Sequence, residues 1–168
     1  RTYGLARLIA AAFGVATVAL VYMAASWAYD RKTALLASAF VSAAVVAIQL
    51  SHTDTVDVFL VFWSCLFLVI GVRLLRRYTD RLHIALAALV GVALATKFVA
   101  LFLLLPLAVA LYVGRHRSRG DRPQAPKMLL LRLGEGVLAS LVIVVLAFLA
   151  LTPVAMLLPM DYWWLDFN

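Results

Sequence analysis

Charge is scarce in this chain. Of its 168 residues only 14% are Asp, Glu, Lys or Arg, while 66% are hydrophobic and the mean hydropathy is +1.04. Such a composition leaves no room for a soluble domain of ordinary size. Cysteine is scarcer still: Cys65 stands alone within an apolar run, so no internal disulfide can form and no redox compartment is indicated. A glycine-rich phosphate loop, a His-Glu zinc motif and a serine nucleophile elbow are all missing, so none of those chemistries is signalled. The first apolar run is too long for a signal-peptide core and is followed at once by others, so no targeting segment is visible.

What the chain has in quantity is apolar sequence. Six runs occupy residues 5–29, 33–50, 58–75, 82–96, 98–113 and 128–151, each closed by charge, a turn signal or proline. They approach the length needed to cross a hydrocarbon core of ~30 Å. The expectation is an all-α, polytopic membrane protein: one transmembrane domain over residues 1–168, with about six helices and an outer tail at 152–168. The stretch 82–113 requires a choice. As a single helix it would measure about 48 Å, far more than the bilayer needs, whereas two spans meeting near Lys97 fit. The first of these, at roughly 22 Å, would end below the outer surface, and a recessed turn must be lined by protein or water.

The formal net charge of +7 fits this topology better than it fits nucleic acid. Twelve of the fifteen Lys and Arg fall in three alternate connections: Arg31 and Lys32; Arg73, Arg76, Arg77 and Arg81; and Arg115, Arg117, Arg119, Arg122, Lys127 and Arg132. If these face the cytoplasm, the segments around 51–57, 97 and 152–168 face outward. A nucleic-acid surface would need a contiguous basic patch interleaved with exposed aromatics, and none is present. Tyr162, Trp163 and Trp164 read most simply as an interfacial aromatic belt, with a carbohydrate platform as the sharper alternative.

Between the second and third runs lies Ser51-His52-Thr53-Asp54-Thr55-Val56-Asp57, two acids and a histidine wedged between spans. The topology brings His52, Asp54, Asp57 and Lys97 to one face of the membrane, where ionisable groups are costly and usually serve a ligand or a reaction. Each also has a plainer reading. Asp57 can cap the helix that follows it, Asp54 can be a solvated loop acid, His52 an interface histidine, and Lys97 can snorkel to headgroups. Arg7, one turn inside the first span, can snorkel outward or meet an anionic lipid. One His and two Asp signal a metal only weakly.

The order of these elements carries a resemblance. Ala6-Arg7-Leu8, then Gln49-Leu50-Ser51-His52, then Thr55-Val56-Asp57 opening a helix, then Gly91-Val92-Ala93-Leu94-Ala95-Thr96-Lys97-Phe98, resembles the GT-C superfamily of lipid-linked-sugar glycosyltransferases. The closest branch is the family 39 and protein O-mannosyltransferase-like enzymes, with the lipid A aminoarabinose transferases as relatives. Leu151-Thr152-Pro153 followed by Leu165-Asp166-Phe167 is similar to the family's outer stretch after a span.

The resemblance implies transfer of a sugar from a polyprenyl-phosphate carrier to an acceptor hydroxyl on a lipid or protein at the outer face of the plasma (inner) membrane. The donor is the lipid-linked sugar, no cofactor is implied, and a divalent metal requirement stays open. Such chemistry needs a carboxylate and a cationic or dipolar anchor for the departing phosphate. Asp57 matches the family's Thr-x-Asp element and Lys97 its Thr-Lys element; the catalytic candidates are Asp57 and Asp54, and the candidate substrate or phosphate ligands are His52, Lys97 and Arg7. In the superfamily the main catalytic acid lies in the first outer loop. This chain opens without Met on Arg1-Thr2-Tyr3, at what looks like the following helix, so the expectation is an internal piece of a longer enzyme. A transporter or lipid flippase, with Asp57 and Lys97 gating a path, and a non-catalytic membrane assembly subunit are the alternatives.

Overall fold

A computed structural model describes residues 2–44, 56–118 and 126–152, and among these every regular element is helical. The order is α1 (Thr2–Ala28), α2 (Arg31–Ala43), α3 (Val56–Arg76), α4 (Asp80–Thr96), a 3₁₀ segment (Phe98–Leu103), α5 (Leu104–Ser118) and α6 (Pro126–Leu151). The expectation of an all-α chain therefore holds over the described residues. Four segments are long and apolar enough to cross a membrane: Arg7–Ala28, Asp57–Arg76, Phe98–Arg117 and Gly134–Leu151.

Two of the six expected spans are shorter. Helix α2 has 13 residues, about 20 Å, and ends at Ala43, where Ala44 turns to extended backbone. The sequence Ala43-Ala44-Val45 holds no glycine, proline or polar cap to announce that break, which is why the apolar run was expected to stay helical to residue 50. Helix α4 has 17 residues, about 25 Å. Its end is where the sequence placed it: Lys97 adopts φ −160° and ψ 136°, its N–H still reaching Ala93 O at 3.0 Å. The chain then reverses through the 3₁₀ segment into α5.

Local chemistry sets the helix starts. Asp30 caps α2 by accepting from Thr33 N–H at 3.1 Å, and Thr79 caps α4 by accepting from Leu82 N–H. The Thr33 bonds hold the Asp30 carboxyl below its usual range. Arg73 and Arg76 close α3, and Arg115, His116 and Arg117 close α5, opposite the negative end of each helix dipole.

Two parallel pairs organise the packing. Helices α1 and α3 run the same way: Phe13 meets Phe59, Phe62 and Trp63 edge-on at centroid distances of 4.8, 4.7 and 6.3 Å, and in the last turn of each helix Arg73 lies over Trp27 at 5.2 Å. Helices α4 and α6 are also parallel. Gly91 lets them touch, since a Cβ there would sit 2.5 Å from Val144 O and 2.6 Å from Ala147 Cβ. Phe98 and Phe148 stack loosely at 6.4 Å near the far end of the same pair. The core is centred on α4, where Leu86, Ala87 and Val90 are fully buried against Phe67, Leu74, Leu107, Ala110, Leu111 and Val144. Outward faces stay apolar, with Phe40, Phe102, Leu105 and Leu138 exposed, as a lipid-facing surface requires.

Because successive helices alternate in direction, the described parts of the three basic connections lie at one end of the bundle. Arg7, Asp57 and Lys97 lie at the other.

Candidate functional site

The site is built at the end where α3 begins and α4 stops. Helix α3 starts at Val56, so Asp57 is the second residue of its first turn. This corrects the expectation of a helix starting at Val58 with Asp57 as its cap. The carboxylate instead sits inside the first turn, at the positive end of the helix dipole. Helix α4 delivers Lys97 at its broken end, forty residues further along the chain.

The two meet. Lys97 Nζ donates to Asp57 Oδ1 at 2.6 Å, and this is the one salt bridge among the described residues. Both side chains stay accessible, at 42% for Lys97 and 37% for Asp57. An ion pair so open contributes at most about 1 kcal/mol to stability in water, so holding the bundle together is not its chief effect. It sets an accessible ammonium, able to bind an anion, beside an accessible carboxylate, able to accept from a donor.

Arg7 is exposed on α1. The parallel packing of α1 and α3 places it six residues above Phe13, with Asp57 two residues above Phe59, so both lie at the same end of the bundle. The candidate residues His52 and Asp54 lie outside the described residues, as do Tyr162, Trp163 and Trp164. Among the described residues no three His, Cys, Asp or Glu side chains converge as a metal site.

Below the ion pair, the ring cluster of Phe13, Phe59, Phe62 and Trp63 forms an apolar wall between α1 and α3. Thr17 is buried beside it, its hydroxyl spent on Phe13 O at 2.8 Å.

At the opposite end the structure reveals a polar network that sequence reasoning missed. Arg115 Nε–H donates to Tyr78 Oη at 2.8 Å, and the guanidinium also lies over the Tyr78 ring at 5.6 Å. Tyr78 Oη is 3.3 Å from His83 Nδ1, and His83 Nε2 is 2.7 Å from Ser140 Oγ. Ser140 gives its own proton to Gly136 O at 2.8 Å. That last bond fixes the rest: Ser140 can only accept from His83, so Nε2 carries the imidazole proton and Nδ1 accepts from Tyr78. His83 and Ser140 are 5% and 2% exposed. A signal was present in the sequence, since His83 shares the i, i+3, i+4, i+7 stripe of Leu86, Ala87 and Val90. A histidine on a buried stripe must find partners.

Comparison with protein families identifies the family of the chain. The model of the dolichyl-phosphate-mannose-protein mannosyltransferase family matches residues 4–163. The chain belongs to that family, a GT-C glycosyltransferase family, and is a membrane glycosyltransferase domain. No curated protein and no solved structure matched it.

Proposed function

We propose that this chain forms the membrane scaffold and part of the active site of an enzyme that transfers a sugar, mannose by the family's name, from a polyprenyl-phosphate carrier to an acceptor hydroxyl at the outer membrane face. The observation that carries the reading is the Asp57–Lys97 pair, an accessible carboxylate and ammonium held 2.6 Å apart at the end of an otherwise apolar bundle. In the transfer the bond from the anomeric carbon to the phosphate oxygen breaks, and a bond from that carbon to the acceptor oxygen forms. The hydroxyl proton passes to a base and the polyprenyl phosphate leaves with the bonding electrons.

Lys97 is suited to the phosphate side of that reaction. As a compact, mobile point charge it lowers the cost of the negative charge that develops on the departing oxygen. Asp57, while paired to Lys97, has its carboxylate engaged by the ammonium. Once the donor phosphate draws the ammonium away, the carboxylate is left facing the sugar or the acceptor, where it orients a hydroxyl. Asp57 then organises the substrate end, with Asp54 as a second acid in the same segment. Arg7 and His52 complete the proposed set as further ligands for the anionic carrier.

The basic end supports the orientation. Arg31, Lys32, Arg73, Arg76, Arg77, Arg81 and Arg117 are all exposed there, and a cytoplasmic placement of that end of a plasma-membrane protein follows the positive-inside rule. The site then faces outward. The test is sugar transfer by the intact protein with Asp57 or Lys97 neutralised: loss of transfer with normal membrane insertion supports the site, and undiminished transfer removes it.

A further inference from the structure

We propose that His83 and Ser140 are positioning residues for sugar transfer. They pin the axial register of α4 against α6 and so set the height at which α4 presents Lys97 to Asp57. The inference rests on the proposed role of the Asp57–Lys97 pair.

Helix α4 is the element that needs such a pin. It is central to the core, yet most of its buried surface is made of aliphatic and small side chains, including Leu86, Ala87, Val90, Gly91 and Ala93. Apolar contacts between parallel helices resist separation better than they resist sliding, because one methyl group can replace another along the axis. Inside a membrane, lipid tails are as apolar as those side chains, so packing alone distinguishes registers weakly.

A hydrogen bond has no such tolerance. His83 Nε2–H reaches Ser140 Oγ at 2.7 Å, and a register shift of one residue, about 1.5 Å of rise with about 100° of rotation, turns the two side chains apart and leaves two polar groups without partners in a buried site. The chain of donors reinforces the lock from both sides. Tyr78, in the connection that joins α3 to α4, is held by Arg115 at the end of α5, and Ser140 is held by Gly136 of its own helix. The network closes on itself, because the Arg115 guanidinium packs directly on Gly136, filling the space a Cβ would take. Four elements are thereby tied at one level: the α3–α4 connection, α4, α5 and α6.

The second contact between α4 and α6 is Gly91, seated against Val144 and Ala147. Two fixed points define a line. Beyond them α4 runs to its broken end, and from His83 to Lys97 the helix rises by on the order of 21 Å. Lys97 is tied back to α4 by its own N–H on Ala93 O at 3.0 Å, and directly beyond it the backbone is extended and turns through the 3₁₀ segment. Its position relative to Asp57 is inherited from the register of α4. Misplacement by about 1 Å at a reacting centre can cost roughly a hundredfold in rate.

The test uses the intact protein with Cys65→Ser and two reporters. The first, independent of sugar transfer, places cysteines at 57 and 97 and measures the rate of joining by a short bifunctional thiol reagent. The second measures kcat and KM for mannose transfer with Asp57 and Lys97 intact. His83→Ala and Ser140→Ala are compared with His83→Gln, whose side-chain amide N–H can stand in for Nε2–H. The expected result is slower joining in both alanine variants, a kcat lowered about 10- to 100-fold with little change in acceptor KM, and recovery of both readouts in His83→Gln. Unchanged joining in His83→Ala, or equal impairment in the alanine and glutamine variants, overturns the inference. Slower joining with undiminished transfer upholds the pin and instead overturns the catalytic reading of Asp57 and Lys97.

Discussion

Lys97 Nζ lies 2.6 Å from Asp57 Oδ1, joining the broken end of α4 to the first turn of α3 across forty residues of sequence. Neither residue is placed there by its own helix propensity. Asp57 is carried by the start of a 21-residue apolar helix, and Lys97 by the point where the next such helix fails. A charge pair formed where two apolar helices meet the membrane edge is costly to assemble, and its accessibility leaves it open to a charged substrate.

The closeness of α4 and α6 depends on Gly91. Gly91→Ala should lower stability by about 1–3 kcal/mol, because the new methyl group meets Val144 O and Ala147 Cβ and backbone has to move. Gly71→Ala, where a Cβ meets nothing within 4 Å, serves as the control. Thermal unfolding in detergent measures both, and equal midpoints would show that the helices are not in contact at Gly91.

The ring cluster that binds α1 to α3 should be worth more than an exposed ring of the same kind. Phe13→Ala loses three edge-on partners, at about 0.5–1.5 kcal/mol each beyond buried area, whereas Phe40 is 75% exposed on α2. The unfolding midpoint should drop clearly for Phe13→Ala and little for Phe40→Ala. A reversed order would contradict the parallel pairing.

The cap of α2 should be acid-sensitive. The Asp30 carboxyl is held below its usual range by bonds from Thr33, so its contribution is present above the unfolded carboxyl value and is lost as pH falls through the lower folded one. Amide exchange at Thr33 should therefore accelerate in the acid range below about pH 4, and Asp30→Asn should remove that pH dependence while keeping a capping oxygen. Identical profiles for the two proteins would exclude the cap as the source.

Orientation can be read by labelling. In intact cells carrying the Cys65→Ser protein, a membrane-impermeant maleimide should modify a cysteine at Phe98, exposed beside Lys97, and not one at Arg77, exposed at the basic end. Modification at 77 alone would invert the topology and with it the outward-facing site.

Much of this architecture is legible in the sequence because apolar runs and basic connections obey the simple physics of a bilayer. The break at Lys97 could be read from length alone, since residues 82–113 are too long for one span, and the described parts of the basic connections fall at one end as their spacing implies. The end of α2 at Ala43 could not, because nothing in Ala43-Ala44-Val45 distinguishes a helix that continues from one that stops. The start of α3 at Val56 shifted Asp57 from cap to first turn, a difference of one or two residues that capping chemistry alone does not resolve. The His83–Ser140 bond joins residues 57 apart, and no local pattern announces its partner. Of the candidate site, Asp57 and Lys97 come together, Arg7 lies at their end of the bundle, and His52 and Asp54 fall outside the described residues.

The central claim is that Asp57 and Lys97 act in sugar transfer. The most direct measurement is transfer of radiolabelled mannose from polyprenyl-phosphate-mannose by membranes bearing the intact protein, compared with Asp57→Asn, Lys97→Ala and Asp121→Asn at matched membrane content. Transfer should fall by about a hundredfold or more in the first two variants and stay at the parent level in Asp121→Asn, whose acid falls in the sequence between α5 and α6. Transfer at the parent level in Asp57→Asn and Lys97→Ala would contradict the account.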